Sequence, residues 1–160
     1  RVIAAQMRAL GAHPVPLAFS ETRRALAAGV VDGTENPISN FWTQSMHLVQ
    51  TDLSLTQHGY LGYAVVTNQR FWQHLRVADR TLISGAMQEA LRYANQIADS
   101  QNELALTALR GTRTTRIHTP SERQHAQLQQ AVQPVHQELE RRLGPGWMQA
   151  LREAVAKGRT

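Results

Sequence analysis

Ile3, Met7 and Leu10 recur at i, i+4 and i+7, one face of a helix that Gly11 stops. Val15 to Phe19 is a short apolar run between prolines and predicts a buried strand. Ser20 is a good N-cap residue, Glu21 suits the positive end of a helix dipole, and Thr22, Leu26 and Val30 mark the inward face of a second helix. Val30-Val31-Asp32-Gly33 predicts a brief strand and turn. Asn36-Pro37 opens a third helix, with Ile38, Phe41, Trp42 and Met46 inside. From Leu53 to Asn68 the pattern is extended and broken by Gly59 and Gly62, which suit bends or close backbone approach.

The longest periodic stretch carries Leu82, Ala86, Ala90, Tyr93 and Ile97 on one stripe, with no proline from Val77 to Arg110. At about 1.5 Å per residue it predicts a helix of roughly 50 Å. A short strand is expected from Thr115 to His118. Ser121 with Gln124 three residues on is a capping-box signature. Leu128, Val132, Val135 and Leu139 then continue one helix through Pro134, and Gly144-Pro145-Gly146 separates it from a last helix with Trp147, Leu151 and Val155. Alternating strands and helices with short connections argue for an α/β architecture.

A chain of 160 residues buries one sizeable core, as a domain or as a piece of a larger one. It begins with Arg1 followed by helix-interior residues, which reads as a cut, with sequence missing upstream. No run approaches the eighteen or so apolar residues that would span a bilayer. Cysteine is absent, which excludes disulfides, thiolate zinc sites and cysteine nucleophiles. The net charge of +5 is almost wholly arginine, since Lys157 is the only lysine. The arginines are scattered, with loose groups at Arg110, Arg113 and Arg116 and at Arg141 and Arg142, and no aromatic residues are interleaved. That placement fits solvated faces better than a nucleic-acid stripe.

None of the seven histidines forms a His-x-x-x-His pair, and His47, His58 and His74 fall on three different elements, so no metal is expected. There is no Gly-x-Ser-x-Gly elbow, no phosphate-cradling glycine loop and no clustered carboxylate pair. No catalytic residue, cofactor or familiar enzyme class is supported. Phe19-Ser20 and Asn36-Pro37 each lie at a helix N-terminus, where free N–H groups favour an anion. Either the two junctions face a common cleft, or Ser20 and Asn36 cap their helices and Phe19 is core.

Three ordered segments carry a resemblance. Gly11-Ala12-His13-Pro14-Val15-Pro16-Leu17-Ala18-Phe19-Ser20-Glu21, Gly29-Val30-Val31-Asp32-Gly33-Thr34-Glu35-Asn36-Pro37 and Leu55-Thr56-Gln57-His58-Gly59-Tyr60-Leu61-Gly62-Tyr63 resemble the central signature of the binding proteins of tripartite ATP-independent periplasmic (TRAP) transporters. The four-carbon dicarboxylate branch matches best, although Gln57 replaces its more usual asparagine or aspartate.

The resemblance implies a periplasmic-binding-protein-like two-domain α/β fold with a long connecting helix, here only its C-terminal half. Residues 1–56 would be part of the second lobe, 57–68 a crossing strand or hinge, 69–111 the long interdomain helix region and 112–160 the C-terminal strand and helices. It also implies a non-enzymatic periplasmic protein, made with a signal peptide, that captures a small organic acid and delivers it to membrane permease subunits. Asn36 and Phe19 would bind the ligand. His58 and Tyr60 would reach it or serve hinge and packing roles. The family's carboxylate-gripping arginine would fall a few residues before Arg1, so this piece alone should bind weakly or not at all, and its exposed apolar surface predicts self-association. The alternative is a basic helical interaction or nucleic-acid-binding module.

Overall fold

The computed structural model describes residues 2–157. In chain order these form α1 (Val2–Ala9), α2 (Phe19–Ala27), α3 (Ile38–Thr43), a 3-10 turn (Met46–Leu48), β1 (Asp52–Ser54), α4 (Gln69–His74), α5 (Val77–Thr112), β2 (Arg116–His118), α6 (Glu122–Ala131), α7 (Gln133–Leu143) and α8 (Pro145–Lys157). They divide into two compact units. The first takes Arg1–Leu17, Ser54–Gly59 and Thr119–Thr160, and the second Ala18–Leu53 and Tyr60–His118. The expectation placed on Arg1 lies outside the described residues.

In the first unit α1, α6 and α8 each pack on α7, and Met148 is its buried apolar residue. α1 closes through Gly11 at φ +86, where the Ala12 N–H donates to the Met7 carbonyl at 2.9 Å, a glycine-dependent helix stop. The Ser121–Gln124 capping box forms as expected at the start of α6. Pro134 does not sit inside a continuing helix. α6 ends at Ala131 and α7 starts at Gln133 with the proline in its first turn, because proline lacks the N–H a helix interior needs.

The second unit is built around α3 lying on the C-terminal end of α5. Phe41, Met46 and Leu109 form its buried cluster, with Ile38, Trp42, Leu53 and Ile117 packed against it. Among the described residues the one sheet is the two-stranded pair of β1 and β2. The strand expected at Thr115 to His118 is therefore present. Those expected at Val15 to Phe19, at Val30 to Asp32 and over most of Leu53 to Asn68 are not: residues 12–17 and 55–68 have no regular secondary structure. A strand exists only by pairing, and an apolar run whose neighbour strand is not at hand stays unladdered.

Candidate functional site

α2 starts at Phe19, with extended Ala18 as its N-cap, so Ser20 lies inside the helix and does not cap it. The Thr22 hydroxyl donates to the Ala18 carbonyl at 3.3 Å, and Thr22 with Leu26 forms the buried face. Gly29, at φ +68, ends the helix as the Val30 N–H reaches the Ala25 carbonyl at 2.9 Å. Phe19 is 46% exposed, so it is not core.

Asn36 does not cap α3 either. Its amide Nδ2 donates to Thr34 Oγ1 at 2.9 Å and lies 3.8 Å from Met46 Sδ, and Met46 is fully buried. The Asn36 head group is thus held between a loop hydroxyl and the core. The first turn of α3 is served instead by Asn102 of α5, whose Oδ1 accepts from the Ser39 N–H at 3.0 Å. Nothing local in the sequence marks Asn102, because the pairing spans 63 positions.

Tyr60 is 92% exposed and belongs to the same unit as Phe19 and Asn36. No hydrogen bond or ring contact between any two of these three is found among the described residues. His58 belongs to the first unit, where its Nδ1 lies 2.6 Å from Thr56 Oγ1 and its backbone carbonyl accepts from Gln6 Nε2 at 3.4 Å. Next to it Gly59 lies against α1 so closely that a Cβ there would sit 2.9 Å from Ile3 Cδ1, the close approach expected of this glycine.

Three features of the second unit escaped the sequence reading. Asp52 on β1 receives Arg116 of β2 through Nε and Nη2 at 3.1 and 3.0 Å, His118 Nε2 at 2.7 Å and Thr51 Oγ1 at 2.8 Å. These donors, Arg116 foremost, hold the Asp52 carboxyl well below the usual carboxylate range. Trp42 stacks on His47 with ring centres 4.6 Å apart, and burial, then the Arg23 charge, pushes the His47 pKa down. Finally, an open concavity of about 540 Å³ lies between α2 and the end of α3. Its α2 wall, Ser20, Arg23, Arg24 and Ala27, follows helical spacing that was legible as a polar face opposite Thr22 and Leu26.

Residues 1–142 match the family described as bacterial extracellular solute-binding protein, family 7. The chain is 45% identical over 157 residues to the C4-dicarboxylate-binding periplasmic protein DctP of Rhodobacter capsulatus, covering 98% of this chain and 47% of that protein. A TRAP periplasmic solute-binding protein from Shewanella oneidensis, solved with bound succinate, superposes with a TM-score of 0.90 at 32% identity, over 93% of this chain and 49% of that one. Another from Pseudomonas aeruginosa, with bound L-malate, gives 0.81 at 31% identity, over 86% and 48%. The α/β fold expected from the sequence is the fold of these proteins. This chain spans about half the length of the relatives it matches.

Proposed function

The chain belongs to family 7 of the bacterial extracellular solute-binding proteins, and from that premise we propose that it supplies part of the substrate-capturing subunit of a TRAP transporter. The family binds and carries solutes and does not catalyse a reaction. Its relatives are named as periplasmic proteins, and we read this chain's place of work as the periplasm. The ligand is a small organic acid of the four-carbon dicarboxylate class, handed on to membrane permease subunits. The named ligands of its relatives, C4-dicarboxylate, succinate and malate, support that class. The reading as a basic nucleic-acid module gives way to family membership.

The observation that carries the site is the held amide of Asn36. Its amide N–H groups go to Thr34 Oγ1 at 2.9 Å and to Met46 Sδ at 3.8 Å, so a carboxylate would take over the donor now spent on the weak sulfur acceptor, exchanging it for a charge-assisted hydrogen bond. Phe19, half-exposed at the start of α2, supplies an apolar wall in this reading, and Tyr60 and His58 on the following segment are further contacts. The segment 57–68 is a hinge between lobes, and the exposed apolar residues of α5 promote self-association.

The test is thermal unfolding with succinate and L-malate, carried to high millimolar concentration so that weak binding registers. A ligand that binds only the folded state raises the melting temperature. Asn36→Ala should lose most of that rise while unfolding at nearly the same temperature without ligand. A rise that is undiminished in Asn36→Ala overturns the assignment.

A further inference from the structure

We propose that the concavity between α2 and the end of α3 is a second anion site, one that takes a small dianionic oxyanion such as sulfate, phosphate or a dicarboxylate through Arg23 and Arg24. It shares no lining residue with the carboxylate site argued above.

Arg23 and Arg24, neighbours on α2, both line the hollow, and each guanidinium is a planar fork suited to oxygen pairs. Neither is strongly neutralised. The nearest carboxylate of Glu21 stands 3.8 Å from Arg24, in an exposed pair that contributes little, and Arg23 has no carboxylate partner among the described residues. The rest of the lining is neutral: Ser20, Ser45 and Gln44 carry free hydrogen-bonding groups, the Thr43 hydroxyl is spent on the Ser39 carbonyl at 2.9 Å, and Ala27 is the one apolar residue. Such a set can hydrogen-bond an oxyanion whose charge the arginines balance. The hollow of about 540 Å³ is of the size of a small-molecule site.

Ser45 strengthens the case. It ends α3 in the left-handed conformation, φ 54 and ψ 32, with its N–H on the Trp42 carbonyl at 2.9 Å. Glycine is the residue this position favours, since it has no Cβ to strain. A serine there costs backbone strain and keeps a hydroxyl on the wall of the hollow. Burial first, and then the Arg23 charge, push the His47 pKa down. An anion on Arg23 would weaken the second of these, so the His47 ring reports occupancy.

The experiment is an NMR titration of the chain with sulfate at constant ionic strength, chloride being the counter-titration. The expected result is saturable movement of the Ser20, Thr43, Gln44 and Ser45 amides at millimolar sulfate, with the His47 pKa rising as the site fills. Succinate and phosphate should compete for the same resonances. Arg23→Gln with Arg24→Gln should abolish the movement, and Ser45→Gly, which relieves strain and removes the hydroxyl, should weaken it several-fold in a chain at least as stable. Asn36→Ala should leave it unchanged, so failure here and failure of the carboxylate reading are distinguishable. Shifts that chloride reproduces, or that survive in the double glutamine variant, overturn the proposal. So does binding to phosphatidylglycerol vesicles that the arginines support without any saturable response to sulfate, since the site would then read a membrane surface.

Discussion

The two ends of α5 carry the same kind of apolar periodicity and meet opposite fates. Toward its C-terminus Ala105 is buried and Leu109 has no exposed surface, because α3 lies on that turn and β2 follows directly. Toward its N-terminus the stripe of Leu82, Ala86, Ala90 and Tyr93 faces outward, with Leu82 73% and Tyr93 63% exposed. A helix of 36 residues satisfies its own backbone hydrogen bonds wherever it runs, so helicity persists without packing. Periodicity reports that a face can be buried, while burial needs a second element to cover it.

The sharpest way to test this contrast is to truncate one leucine at each end. Leu109→Ala leaves a cavity among Phe41, Met46 and Ile117 and should lower the unfolding free energy by about 2–5 kcal/mol in denaturant titrations. Leu82→Ala should change it by less than about 0.5 kcal/mol. Equal losses at both positions would break the comparison.

A smaller effect is expected at Asn102, the side chain through which the packed end of α5 holds the first turn of α3. Asn102→Ala orphans the Ser39 N–H and should cost about 1 kcal/mol, the usual value for a lost cap. Asn102→Asp, which keeps the acceptor, should recover most of it.

How far these features could be read from sequence follows from how local they are. The stop at Gly11 and the Ser121–Gln124 box are written within six residues and were legible as such, whereas Val30, expected on the inward face of α2, lies past its end at Ala27 and is exposed. So was the family, through three contiguous motifs around Phe19, Asn36 and Tyr60. The strands at Val15 and Val30 were misjudged because a strand is completed by a neighbour that the local pattern cannot name. Asn102, the Asp52–Arg116–His118 cluster and the Arg23–Arg24 hollow each join positions brought together only by the fold, at separations of up to 66 residues in the case of Asp52 and His118. For the candidate site, Phe19, Asn36, His58 and Tyr60 were named from the motifs. The partners that hold them, Thr34 and Met46, were not.

Acid should act next to the packed end of α5 and spare the bare one. The Asp52 carboxyl is held low by Arg116, His118 and Thr51, so its contribution is full above the unfolded carboxylate pKa of about 3.9 and is lost as pH falls below it toward the folded value. The pair is exposed and the effect modest. Hydrogen exchange between pH 5 and pH 3 should show β1, β2 and the last turns of α5 losing protection in the parent chain. Asp52→Asn should already show the lower protection at pH 5, with a flatter response to acid. A parallel acid response in both would remove Asp52 as its source.

The smallest effect on stability is expected on the bare stripe, and there the readout changes from folding to association. Leu82→Gln with Tyr93→Gln removes two large exposed apolar side chains while keeping good helix formers, so the melting temperature should stay within about 1–2 °C of the parent. Exposed apolar surface on this stripe favours contact between copies. Light scattering should therefore show the parent chain self-associating as concentration rises and the double variant doing so less. A clean monomer for the parent at every concentration would mean that the bare end of α5 is tolerated in water without a cover, and the contrast within this helix would then be one of packing alone.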